Sequence, residues 1–415
     1  MALTANTDLK AAGANIARAE AALAGAEDAK IPSTNIDAAF EWSQLSGEQY
    51  LLNYPVPSMG LYDTGITIGY QIDLFGQIRR AIEASKADEA AARAAYDATR
   101  ITVAAETVRA YVDACAAGHE LAVARYSLDL QRQSLDLTTR LVRAGRGSAL
   151  DVTRSQGQVE QFRANIPQLE AQHRVALYRL VVMTGRPPSE YPKALDGCAT
   201  EPTLTSLIPV GDGAALLRRR PDIRLAERQL AAATARIGVA TADLYPKIAF
   251  ELTGGSTGSI NDIFKDATQD YGIGPVISWD FPQQNAVRAR IKAAEATTQG
   301  ALATFDGKVL GALREIESAL TVYGRDLDRA AALRAARDRS AQATGQADSL
   351  YKAGRQDSLN NLDAHRVLAS SDQALAQAES KVAGDQVTLF LALGGGWQVG
   401  TPDADADKAV ANTSH

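Results

Sequence analysis

No proline occurs from position 58 to 166, and none from 283 to 401. Proline lacks the amide donor and clashes with the preceding turn, so its absence leaves two long windows free to be helical. Between Gln77 and Ala144 the only glycine is Gly118. The stretch is rich in Ala, Glu, Arg, Leu and Gln, all strong helix formers. At ~1.5 Å per residue, one helix through it is about 100 Å long, several times the diameter of a small domain. "RAGRG" then breaks the run, with Gly145 and Gly147 suited to a helix C-cap and a tight turn. A second helix, from about Ser148 to Met183, returns beside the first. The later window repeats the plan: helix to about Ala353, a break at Gly354, helix back to about Leu393. Such antiparallel pairs pack as coiled coils, and alanine seams allow close backbone approach. Taken alone, the helices fit a rod-like spacer or scaffold.

The repetition extends to the residues. "LVRAGRGSALD" begins at 141 and "LYKAGRQDSLN" at 350. The same offset pairs Ile82 with Ile291, Tyr96-Asp97 with Phe305-Asp306, and Glu106 with Glu315. It also pairs Gly145-Arg146 with Gly354-Arg355, Leu150 with Leu359, and Gly185 with Gly394. Upstream the register shifts, so that Asp8-Leu9-Lys10 meets Asp222-Ile223-Arg224 and Pro32 meets Pro246. The period far exceeds that of solenoid repeats. The organisation expected is duplication of half a protein. The first repeat is 1–209: a helix, a strand pair at about 35–46 and 61–74, a hairpin at 77–184 with its tip at 144–147, and an equatorial loop at 185–209. The second is 210–397: a helix at 214–244, a strand pair at about 246–256 and 270–281, and a hairpin at 285–393 with its tip at 353–356. The polar tail 398–415 is expected to be disordered.

The four strand candidates alternate. In "NIDAAFEWS", Ile36, Ala38, Phe40 and Trp42 face one way, and Asn35, Asp37 and Glu41 the other. "GITIGYQID", "KIAFELT" and "YGIGPVISWDF" behave likewise. A period of two predicts sheet with one apolar and one polar face. A soluble, half-buried sheet is one reading. Against it, little other apolar mass lies nearby to cover these strands, and their apolar faces are rich in Tyr, Trp and Phe, as in a lipid-facing barrel with aromatic girdles. Four strands cannot close a barrel, and an open edge in lipid leaves backbone groups unsatisfied. The strands must therefore be pooled between copies; a dimer, a trimer and a tetramer all satisfy the pattern.

Other classes fall away. A net charge of −6 with mixed signs does not recommend nucleic acid as a partner. No apolar run reaches the ~18 residues of a transmembrane helix. The opening "MALTANTDLKAAGANIARAE" has no basic region followed by an apolar one, so it is not a signal peptide. These points alone suggest a soluble cytoplasmic protein, and the strands contradict them. Cys115 and Cys198 cannot form a disulfide framework; a single pairing is open to them, but Cys115 lies in a helical stretch and reads instead as a small packed side chain. No catalysis is expected: "HELAV" lacks the second histidine of a zincin, and no P-loop, dinucleotide fingerprint or GxSxG occurs. No cofactor or metal site is expected either.

A family resemblance is carried by three segments. "LLRRRPDIRLAERQLAAATARIGVATADLYPKIAF" (216–250) resembles the hallmark segment of the outer-membrane factors, the TolC-like efflux channels, and is most similar to their NodT branch of drug-efflux subunits. "LYKAGRQDSLNNLDAHRVLASSDQALAQAESKVAGDQVTLFLALGGGW" (350–397) resembles the family's closing segment, and "ISWDF" (277–281) its last strand running into a long helix. The resemblance implies a mainly α fold with a small β part. Duplicated helical hairpins would build an α-barrel tunnel, and four strands would join a twelve-stranded β-barrel shared by a homotrimer. It implies a passive channel in the bacterial outer membrane with a periplasmic extension. A periplasmic adaptor (membrane fusion protein) and an inner-membrane transporter of the RND type would be its partners, with outer-membrane lipid around the barrel. A type I protein-secretion channel and, less well, a coiled-coil adaptor are the alternatives.

The resemblance also assigns roles. The tips Ala144, Gly145, Arg146 and Gly147, with Ala353, Gly354 and Arg355, would dock the adaptor. The family's entrance carboxylates fall on Asn360 and Asp363, so half of the expected ring charge is missing. The entrance latch falls on Asp151 and Tyr351, with Gln356 where the family has arginine. In "RRRPDIR", Pro221 suits a first helical turn, Asp222 complements the positive helix end, and Arg218–Arg220 are expected to pair with carboxylates. The family's signal peptide, and the lipidated cysteine common in this branch, do not appear in this sequence.

Overall fold

The computed structural model describes residues 2–44, 46–48, 51–200, 202, 213–279, 281 and 284–395. The tail 398–415 and the segment 203–212 lie outside the described residues. The chain forms helices α1 (Ala2–Ala5), α2 (Thr7–Asp28), α3 (Gln77–Arg143), α4 (Ala149–Met183), α5 (Gly213–Arg219), α6 (Pro221–Ala242), α7 (Gln284–Lys352) and α8 (Ser358–Ala392). Its strands are β1 (Ser33–Ser43), β2 (Met59–Ile72), β3 (Lys247–Ser259) and β4 (Gln269–Ser278). Among the described residues no helix is long and apolar enough to cross a membrane.

The chain divides into two compact units, and each draws segments from both halves of the sequence. One holds Asn15–Arg93 and Leu225–Asp306 and contains the sheet. The strands pair antiparallel in the order β1-β2-β3-β4. The register sets Ile36 opposite Ile66, Phe40 opposite Tyr62, Tyr70 opposite Phe250, Leu252 opposite Ile273, and Ile248 opposite Ile277. Side chains alternate along a strand, so these residues share one face. Asn35, Asp37, Thr67, Gln71, Glu251 and Thr253 fall on the other. At the start of α3, Asp73 accepts from the Ile78 and Arg79 amides at 3.0 Å, satisfying donors that a helix leaves open. Phe75 stacks on Tyr245 at 4.5 Å, and Trp279 donates its indole N–H to the Leu244 carbonyl at 3.2 Å.

The other unit holds Met1–Ala14, Ala94–Arg224 and Gly307–His415. Its core is a set of hairpins sealed by small residues. Ala110, Ala114, Ala312, Ala376 and Ala378 are buried, and Leu216, Ile316, Leu389 and Leu393 form an apolar cluster. Each hairpin turns by the same device. Gly145 and Gly354 have φ of 76° and 70°. The next amide reaches back to Leu141 O or Leu350 O at 2.9 Å, which is the Schellman closure. The far ends of α4 and α8 also match, with Gly185 and Gly394 at φ 72° and 82°. Asn6 donates its side-chain amide to the last α4 carbonyl, Met183 O, at 3.3 Å. Arg220 donates to the last α8 carbonyl, Ala392 O, at 2.9 Å. Positions equivalent in sequence thus do equivalent work, one with a neutral amide and one with a guanidinium.

One expectation is corrected. Cys115 is not a lone packed thiol; it is bonded to Cys198, with 4.8 Å between the Cα atoms. The segment after α4 returns across α3, and Gly118 admits it: a Cβ there would collide with the Cys198 carbonyl. The ring of His119 contacts Ala199 O at 3.2 Å through Nδ1, fixing the same segment.

Candidate functional site: hairpin tips and an uncovered sheet face

The sheet places its apolar face in the open. Ile36 is 76% exposed, Phe40 66%, Ile273 71% and Ile277 66%. Among the described residues nothing covers them, which is a large departure from the scattered apolar exposure of an ordinary monomer surface. Among the described residues β1 and β4 each have a neighbouring strand on one side only. An apolar face and two unpaired edges in one sheet call for a solvent without water and for further strands.

The hairpin tips lie in the other unit. Ser148 caps α4 through a reciprocal capping box. Its Oγ accepts from the Asp151 amide at 3.3 Å, while Asp151 Oδ2 accepts from the Ser148 amide at 2.9 Å. Asp357 caps α8, accepting from the Asn360 amide at 3.1 Å. Arg146 lays its guanidinium over Gly354, where a Cβ would collide with Nη2. Ala144, Gly145, Arg146 and Gly147, with Ala353, Gly354 and Arg355, are all exposed.

The residues assigned to the latch have other partners than one another among the described contacts. The Tyr351 hydroxyl donates to Thr138 Oγ1 at 3.2 Å, in a buried contact. Asp151 Oδ1 accepts from Ser358 Oγ at 2.5 Å. The Ser358 hydroxyl, followed by the Ser148 amide and hydroxyl, holds the Asp151 carboxyl below the usual carboxylate range. Among the described contacts, Asp151 and Tyr351 do not bond to each other. Gln356 is half-buried in the turn before α8. Asp363 is exposed and paired with Arg366 at 2.5 Å; Asn360 is exposed one turn earlier. The structure therefore keeps Asp363 and Asn360 on an accessible stretch of α8.

Several residues here escaped sequence reasoning. Asp348 Oδ1 accepts from Asn361 Nδ2 at 2.7 Å and contacts His365 Nε2 at 2.8 Å, joining α7 to α8 behind the second tip. Asn361 and His365, four residues apart, share a helical face, which is a weak signal in a chain this polar. In "RRRPDIR", Arg220 pairs with Asp222 at 2.8 Å and Glu315 at 2.7 Å. Burial pushes the Asp222 carboxyl up, and the Arg220 guanidinium more than reverses this, so it lies below the usual range. Among the described residues no group of His, Cys, Asp and Glu is arranged to hold a metal.

Comparison with known proteins gives the context. A family model described as outer membrane efflux protein matches residues 1–186 and 214–395. Nodulation protein T of Rhizobium leguminosarum bv. viciae is 32% identical over 358 residues, covering 84% of this chain and 73% of that protein. Outer membrane protein OprJ of Pseudomonas aeruginosa is 31% identical over 352 residues, covering 82% and 71%. The solved outer-membrane channel OprN superposes with a TM-score of 0.89 at 35% identity, over 95% of this chain and 88% of that one. The chain belongs to the outer membrane efflux protein family.

Proposed function

We propose that this member of the outer membrane efflux protein family, an outer-membrane channel subunit, works as a homotrimer whose copies pool their strands into one barrel. The observation that carries the reading is the sheet: four strands, an apolar face left open and both edges unpaired. Three copies give twelve strands and no edge. Lipid meets the Ile, Phe, Tyr and Trp face, and the face bearing Asp37, Thr67, Gln71 and Glu251 lines a wet lumen.

The chain is read as two consecutive copies, 1–209 and 210–397, so a trimer presents six tips. Those tips, with Gly145 and Gly354 at their apices, are the docking points for a periplasmic adaptor, behind which stands an inner-membrane pump of the RND type. Asp363 supplies the charge at the narrow periplasmic entrance, weakened by Asn360. The channel has no chemistry of its own; a pump powered elsewhere loads the solute, which diffuses out.

The test is the mass of the detergent-solubilised protein by light scattering, after export with a borrowed signal peptide. A trimer found only in detergent is the expected result. A monodisperse monomer, soluble without detergent, means that the strands never reach lipid.

A further inference from the structure

Between β3 and β4 the chain makes two single 3-10 turns, Ile260–Asp262 and Asp266–Thr268. β1 and β3 follow helices α2 and α6, and β2 and β4 lead into α3 and α7, so this connection lies at the end of the sheet away from the helices. It folds back over one face of the sheet. A Cβ on Gly60 would come within 2.3 Å of Ile260 Cδ1, and one on Gly258 within 2.7 Å of Thr268 Cγ2. Gly60 stands opposite Trp42, and Gly258 opposite Tyr62, so the face that the connection covers is the apolar one.

Tyr62 holds it there. Tyr62 is buried, on a face where Phe40, Tyr271 and Ile273 lie open. Its hydroxyl accepts from the Phe264 amide at 3.0 Å and shares hydrogen bonds with Ser256 Oγ at 2.7 Å and Thr268 Oγ1 at 3.0 Å. Further donors of the connection are met within it: Lys265 N bonds Asp262 O at 3.2 Å, and Thr268 N bonds Lys265 O at 2.9 Å. Gln269 Nε2 donates to Phe264 O at 3.4 Å. Phe264 itself has φ of 56°, a left-handed value that a residue with a side chain adopts only at a cost. Its ring is 63% exposed, and Ile260 and Ile263 are exposed beside it in sequence. A connection built for water has no use for a strained, open phenylalanine and two open isoleucines.

We propose that the β3–β4 connection is a lipid anchor: it lies on the outer wall of the barrel, and Ile260, Ile263 and Phe264 enter the outer leaflet where headgroups give way to hydrocarbon. The inference rests on the channel reading above, which puts this end of the sheet at the cell surface and its apolar face against lipid. The patch continues that face, since Tyr271 and Ile273 follow directly on β4. The hydroxyls beneath it are bonded to one another and to the Phe264 amide, as groups shut away from water must be. Open apolar side chains mixed with charged ones suit interfacial depth. Lys265 pairs with Asp262, and its stem can lie along the patch with the ammonium among the headgroups. Tyr62 is a positioning residue: by holding the Phe264 amide it sets the height of the ring. In a trimer three such anchors surround the rim and oppose sliding of the barrel through the bilayer.

The experiment places a nitroxide on the full-length protein, exported and then reconstituted in vesicles of phosphatidylethanolamine and lipopolysaccharide. The two native cysteines are bonded to each other, so an added cysteine is the one free thiol. Labels go on Phe264→Cys, on Tyr271→Cys of the apolar face and on Asp37→Cys of the polar face. Collision with oxygen reports hydrocarbon, and collision with a water-soluble nickel chelate reports water. Oxygen should prevail several-fold at 264 and 271, and nickel at 37. Tyr62→Phe in the labelled chain frees the connection and should raise its nickel collisions several-fold; unchanged collisions overturn the hold assigned to Tyr62. Ile263→Cys gives the same reading of depth where the 264 variant does not assemble. Nickel prevailing at 264 or 263 while oxygen prevails at 271 overturns the anchor alone. Nickel prevailing at 271 as well overturns the channel reading itself, and this inference with it.

Discussion

Replacing Cys115 by serine should loosen the first hairpin measurably, and the size of the effect follows from chain length. The disulfide joins residues 83 apart in sequence, and the ring it closes contains the far part of α3, the first tip and all of α4. In the chain-entropy account, closing a ring of that size removes about 15 cal/mol/K from the unfolded state, or ~4.5 kcal/mol at 25 °C. That is an upper figure, because helical structure persisting in the unfolded chain already restricts the ring. For a unit of a couple of hundred residues it corresponds to a drop on the order of 10 °C in melting temperature. The assay is circular dichroism melting of the detergent-solubilised protein, wild type against Cys115→Ser and Cys198→Ser. Peptide mapping without reductant should first show 115 joined to 198 in exported wild type. Gly118→Ala offers an independent check, since its methyl would collide with the Cys198 carbonyl and should lower the yield of the linked peptide. A linked wild type that melts within about 2 °C of both serine variants would refute the ring-entropy reasoning.

Three further outcomes are expected. Arg220→Met strips Ala392 O of its donor and Asp222 and Glu315 of their partner; a loss of ~2–3 kcal/mol, below the range for fully buried pairs because the carboxylates are partly exposed, should appear as a lower denaturant midpoint, with Arg220→Lys recovering only part. The Asp151 carboxyl is depressed by the Ser358 and Ser148 hydrogen bonds, so its stabilising contribution is complete above the unfolded carboxylate value of about 3.9 and disappears as pH falls through the folded value. Resting conductance should accordingly stay flat from about pH 5 to 8 and rise only in stronger acid; Asp151→Asn should show the acid behaviour at neutral pH, and a transition near pH 6 would exclude this carboxylate as its source. Asp363→Ala should raise conductance or weaken cation block in single-channel records, whereas unchanged records would remove Asp363 from the entrance.

The long helices and the sheet were legible because each rests on a periodic pattern. The proline-free windows contain α3 and α7, and alternation in "NIDAAFEWS" lies within β1. Glycine at matched positions marked the turns at Gly145 and Gly354, where positive φ leaves little choice of residue. The disulfide was not legible. Two cysteines 83 residues apart carry no spacing signal, and the return of the segment after α4 across Gly118 is a tertiary event. The tip contacts were half legible. Asp151 and Tyr351 lie beside the tips, but their bonds go to Ser358 and Thr138, whose small hydroxyls look like ordinary surface residues in sequence. Arg220 was expected to find carboxylates, but its bond to the Ala392 carbonyl could be seen only once α8 had an end.

The open edges of β1 and β4 make the barrel common property, and this has a genetic consequence. A copy whose β1 cannot pair spoils every ring it enters, because each edge in a closed ring must be met by the next copy's edge. In a cell making equal amounts of sound and faulty chains, random mixing leaves roughly one-eighth of the trimers free of a faulty member. Mutations in the strand edges should thus behave as dominant, while mutations confined to the interior of one hairpin should be diluted by their sound neighbours.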